Sequence, residues 1–220
     1  MTDIVVTNTR PAVPAVGESA LPSVPEPPTT AQPEGNPGLI GLPLIIAGAA
    51  GLGFTNTGIV TAGAAAVPIL LSATAIGLLI TTIWSAALAQ NVNATIYGTF
   101  FGFYGSFAAL SLGLTHDWFG IPDSAVQQTT ALWLGSWLLT IGILTVLVLR
   151  LPWTYPVLLL IVDIALLLLL IGNQSGSAVA TQAGGWFVFG FVGFVIYFYV
   201  ASLWPETGGK SLPLGRPLIT

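Results

Sequence analysis

Residues 36–54 read NPGLIGLPLIIAGAAGLGF. A polar, proline-rich segment ends here and a long apolar one begins. Asn36 is suited to cap a helix, because its side chain can accept from the unpaired N–H groups of a first turn. Pro37 suits the first helical position, where no N–H is needed. The pair predicts a helix start, and such a start presents N–H groups and the positive end of a dipole to an anion. The plainer reading is only that a helix begins at this point.

Downstream, the chain divides into apolar runs that each approach the roughly 20 residues a helix needs to cross a bilayer. Helices are expected near 38–55, 65–89, 94–113, 127–149, 154–172 and 179–203. Their connections are short, and Pro68 falls near the start of the second helix, where a first turn tolerates it. The expected fold is an all-α membrane protein, a bundle of six transmembrane helices at 36–204. A disordered N-terminal tail (1–35) precedes it and a short tail (205–220) follows it.

Composition points the same way. Charged residues make up 5% of the chain and hydrophobic residues 54%, with mean hydropathy +0.90; a soluble domain is about one quarter charged. There is no cysteine and one histidine, His116, so no metal site or cofactor is expected. The spans hold no histidine and no carboxylate pair, too little for an enzyme's acid–base chemistry. Nothing basic suggests nucleic acid. The first 35 residues hold seven prolines, with Asp3, Glu18, Glu26 and Glu34 against Arg10. They lack the basic start and apolar core of a signal peptide and cannot bury enough surface to fold alone.

Six crossings put both ends on one side. Arg10, Arg150, Lys210 and Arg216 fall on that side, and His116, Asp117 and Asp123 on the other. Basic residues favour the cytoplasmic face, so a multi-pass protein of the plasma (inner) membrane with both termini cytoplasmic is expected. Trp84, Trp153 and Trp204 near inner helix ends, and Trp118, Trp133 and Trp186 near outer ones, fit an interfacial belt.

In the third helix Gly98, Gly102 and Ser106 recur every four residues and let a neighbouring backbone come close. Tyr97, Phe101 and Tyr104 are expected to share another face. Asp163 lies inside VLLLIVDIALLLLLIG. A charge at the centre of a span costs roughly 2.5–3.5 kcal/mol on insertion scales, so such a residue usually faces the bundle interior and is functional by default. Its surroundings favour the neutral acid. The blander reading is a hydrogen bond tying two helices together. Tyr104, ten residues into its helix, and Asp163, nine into its own, should share a depth near the midplane at about 1.5 Å rise per residue.

With these residues in hand, the chain from about Asn36 to Leu218 resembles the acetate/succinate uptake transporter family. Asn36-Pro37 with Gly41 and Leu42 is similar to the family's NPAPLGL signature, and Tyr104-Gly105-Ser106-Phe107 to its YGSF segment. Ile171-Gly172-Asn173, then Gly176 and Gly185-Trp186, resemble its IGN…GW pattern. Leu212-Pro213-Leu214-Gly215 resembles its closing LPxG. The resemblance implies a six-helix protomer with its own central path, assembled as a homo-oligomer, a hexamer. Its substrates would be small monocarboxylates such as acetate, and succinate, moved with protons or through a channel-like pore. Asn36 and Pro37 would shape the pore end of the first helix. Tyr104 would match a constriction tyrosine, and Ile45 and Val162 its partners from the first and fifth helices.

This sequence also departs from that pattern. Gly38-Leu39 replaces Ala-Pro, Ile45 replaces a phenyl ring, and the second helix lacks the expected Gly-Gly-x-x-Gln. Asp163 stands outside the pattern, directly after the constriction position. A larger or less polar acid, a channel for neutral amides or urea, and a non-transporting membrane interaction protein therefore stay open as alternatives. On the carboxylate reading, Asp163 is expected to carry the coupled proton.

Overall fold

The computed structural model describes residues 34–61 and 65–219; the expected disordered tail lies almost wholly outside them. Six α-helices follow one another: α1 (Gly38–Asn56), α2 (Val67–Ala87), α3 (Asn91–Thr115), α4 (Asp123–Leu147), α5 (Thr154–Ser175) and α6 (Ala178–Glu206). Among the described residues there is no β-strand, and the chain is an all-helical membrane bundle as expected. Five helices are long and apolar enough to cross a membrane. The sixth, α3, has 25 residues, about 37 Å of helix, but asparagines, threonines and glycines dilute its apolar character. Its Thr95 and Thr99 hydroxyls donate to the carbonyls four residues back, at 2.9 and 2.8 Å, which reduces the cost of carrying them into an apolar setting.

The start of α1 differs from expectation. Its first helical residue is Gly38, with Pro37 at the cap position, and no side chain caps it. The Asn36 carbonyl accepts from Leu39 N–H at 3.1 Å, so the backbone closes the first turn and the Asn36 amide is left for other work. Pro43 sits inside α1, within a helix that runs on unbroken to Asn56.

The helices close a ring. α2 packs on α1 and α3, α6 on α1 and α5, and α4 on α5, whereas α3 and α4 meet only thinly. Small residues set the tight junctions. A Cβ at Gly48 would run into the fully buried Thr74 side chain. That hydroxyl donates across the junction to the Leu44 carbonyl at 2.7 Å. Gly184 likewise brings α6 against the Ala165 carbonyl of α5, and Gly185 brings it against the Thr57 backbone.

Side chains rather than close backbones bridge the thin α3–α4 junction. Ser106 accepts from Trp133 Nε1 at 2.9 Å and from Trp137 Nε1 at 3.1 Å, and the Trp137 ring lies over Gly102. Trp133 faces inward, where its indole N–H has a hydrogen-bond partner in Ser106.

The segment after α6 is a strap rather than a loose tail. The Leu214 carbonyl accepts from Thr154 Oγ1 at 2.7 Å and the Arg216 carbonyl from Trp153 N–H at 3.0 Å. The Tyr197 hydroxyl donates to the Pro213 carbonyl. Gly215, at φ +92°, lies against the Trp153 indole, where a Cβ would collide with the ring. The LPxG segment therefore pins the start of α5.

Candidate functional site

The inner face of α3 is set by spacing. Asn93, Tyr97, Phe100, Tyr104 and Phe107 step by four and three residues and so share one side of the helix. All five line cavities inside the ring. Phe100, not Phe101, continues the face begun by Tyr97.

Three cavities lie in file along that face. The first, about 110 Å³, is walled by Asn36 and Ile45 of the α1 segment, Asn93 and Tyr97 of α3, Tyr155 of α5 and Ser202 of α6. Helix starts and a helix end meet there, as an up-and-down bundle requires, so the chain enters α1 and leaves α6 at one end. The segment before α1 is held in place by Gln90, whose Nε2 donates to the Gly35 carbonyl at 3.1 Å and whose Oε1 accepts from Asn93 Nδ2 at 2.9 Å.

The second cavity is the smallest of the three, about 40 Å³. Tyr104, Val162, Ala49, Ala165 and Val188 line it with aromatic and leucine side chains, and among the described residues Tyr104 is the one member of its wall with a polar side-chain group. It shares Phe100 and Phe191 with the first cavity. These two rings stack with centroids 5.7 Å apart and planes 19° from parallel, forming a partition between them.

The third cavity, about 220 Å³, shares Leu52, Phe103, Leu166 and Leu169 with the second. It opens among Asn56, Thr130, Trp133, Asn173 and Thr181. Asn173 Nδ2 donates to the Gln127 carbonyl at 2.9 Å and Gln127 Nε2 to the Asn173 carbonyl at 2.7 Å. This reciprocal pair ties α4 to α5 at this end. Each end of the file thus carries neutral amides, and its middle is lined almost wholly by apolar groups.

The residues singled out from sequence fall in different places. Asn36 and Ile45 line the first cavity, and Tyr104 and Val162 face each other's space in the second. Pro37 is fully buried and lines none of the three cavities. Asp163 is not brought to the cavities. Being next to Val162, it points about 100° away around α5, towards α4. There Thr145 Oγ1 donates to its Oδ2 at 2.6 Å, and its Oδ1, beside Gly142, has no hydrogen-bond partner among the described residues. Tyr104 and Val162, the neighbour of Asp163, line one cavity, whereas Asp163 itself turns away from it.

Sequence reading missed Phe100, Phe191, Asn93, Tyr155 and the mouth role of Asn173. The α3 members were open to discovery through their four-three spacing. The α6 phenylalanine was hidden among many others. Among the described residues, no three His, Cys, Asp or Glu side chains come together as metal ligands.

Comparison with known proteins adds two findings. The profile of the GPR1/FUN34/yaaH family matches residues 22–209. In fold, the chain is similar to a solved structure described as that of the bacterial acetate channel SatP. The TM-score is 0.71 and the identity 20%, over 83% of this chain and 100% of that one. No curated protein matches the sequence significantly.

Proposed function

The chain belongs to the GPR1/FUN34/yaaH family, and from that premise we propose that it carries small monocarboxylates of the acetate type across the membrane, with net movement of protons. The observation that supports this best is the file of three cavities through one protomer, with amide-bearing ends and a single hydroxyl in its smallest cavity. An acid of two or three carbons is matched to such a path. Its methyl end suits the apolar wall, and its carboxyl end can exchange hydrogen bonds with Asn36 and Asn93, then Tyr104, then Asn56 and Asn173. In this reading Pro37 supports the first mouth, and Ile45 and Val162 set the width on either side of the Phe100–Phe191 partition. The likeness to the acetate channel SatP agrees with the same substrate class. Succinate, the second substrate implied by the resemblance, is the larger competitor to compare.

Orientation and assembly belong to the same proposal. The end holding Asn36, Arg150 and the Arg216 strap is the cytoplasmic one by the bias of basic residues. The α4 helix exposes Leu132, Leu139, Ile143, Val146 and Leu147, a face for lipid or for further copies in a homo-oligomer, the hexamer of the resemblance. The expected result is saturable uptake of labelled acetate into proteoliposomes holding the purified protein, raised by an inward proton gradient. Uptake no greater than in empty vesicles, by protein shown to be folded and inserted, would contradict the proposal.

A further inference from the structure

We infer that the species crossing the narrow middle of the path is the undissociated acid, so that the coupled proton travels on the substrate and on no protein side chain. This rests on the carboxylate reading above and deepens it.

Among the described residues, the lining of all three cavities contains no Asp, Glu, Lys, Arg or His; its ionisable groups are the phenols of Tyr97, Tyr155 and Tyr104. An anion entering the second cavity would lose its water and meet no positive charge, and an unpaired charge in such surroundings is strongly disfavoured. The backbone does not help it. α1, α3, α5 and α6 run unbroken past this depth, so their N–H groups are spent within the helices and no helix end points at the constriction. One hydroxyl remains. A carboxylate needs several donors, whereas a carboxylic acid offers one donor and one acceptor, and the Tyr104 hydroxyl supplies the complement of either.

Among the described residues the wall offers the proton no alternative carrier. From α5, Asp163 faces Thr145 and Gly142 of α4 and lines none of the cavities. From α1, α3 and α6, the groups facing the second cavity are apolar apart from Tyr104. A neutral lining also predicts that a neutral isostere of the acid passes.

The test uses the full chain in proteoliposomes, with each rate taken above that of protein-free vesicles. Labelled acetate and acetamide are the probes, the external pH is stepped at fixed total acetate, and a potassium diffusion potential is imposed with valinomycin. The expected acetate rate falls about tenfold per pH unit above the acid's own pKa and is unchanged by the potential. Acetamide passes at a rate independent of pH. Asp163→Asn, which keeps an acceptor for Thr145 and removes the ionisable group, leaves the slope of the acetate profile as it is. Acetate uptake that responds to the potential, or a profile that follows the anion concentration, or a slope lost in Asp163→Asn, would overturn the inference while leaving acetate as the substrate. Absence of protein-dependent acetate flux at every pH would remove the carboxylate reading, and this inference with it.

Discussion

Replacing Val162 with phenylalanine is expected to lower acetate uptake by at least tenfold, about 1.4 kcal/mol added to the barrier, while the protein still inserts and folds. Val162 is 7% exposed and faces the smallest of the three cavities, of about 40 Å³. A phenyl ring placed there has empty space to enter before it meets packed atoms, so it blocks the path more than it strains the bundle. Overpacking of a filled core costs about 1–3 kcal/mol, and the void reduces that cost here. Leu139→Phe on the exposed face of α4 adds a ring outside the path and leaves uptake unchanged. Wild-type uptake by a folded Val162→Phe protein would mean that solute crosses elsewhere.

Gly48→Ala carries the largest expected loss of stability. The added methyl would strike Thr74, which is fully buried and cannot swing aside without breaking its bonds to the Leu44 and Leu70 carbonyls at 2.7 and 2.9 Å. Overpacking together with a lost hydrogen bond amounts to roughly 2–4 kcal/mol. For a chain of this size the corresponding fall in Tm is on the order of 10 °C. Thermal unfolding in detergent checks this. The double variant Gly48→Ala/Thr74→Ala should recover part of the loss, since its two sites touch and their effects do not add. A double variant less stable than the sum of its parts would contradict the packing described.

How legible the fold and site were differs by scale. Helix existence follows from the long apolar runs, and the six helices among the described residues fall within a few residues of their expected places. Depth was legible too, because rise per residue is fixed: Tyr104 and Val162 sit at one level. Facing was not. A single α5 residue step turns a side chain by about 100°, which separates Val162 at the cavity from Asp163 at Thr145. Nor could sequence reveal that the backbone of Asn36 closes its own turn and frees the amide. The residue before Asn36 is held by Gln90, distant in sequence, through the Gly35 carbonyl. Nor was it legible that Trp133 turns inward, since its acceptor, Ser106, lies on another helix.

The chain has no native cysteine, so single cysteines can report the path without background. Asn93→Cys, Val162→Cys and Thr130→Cys place one thiol in each cavity, and Leu139→Cys places one on the outer face of α4. Acetate uptake is measured before and after treatment with methyl methanethiosulfonate, with and without excess acetate. The account predicts inhibition at the three cavity positions, slowed by acetate, and none at Leu139→Cys. Unchanged uptake at all three cavity positions, with thiol modification shown to be complete, would contradict it.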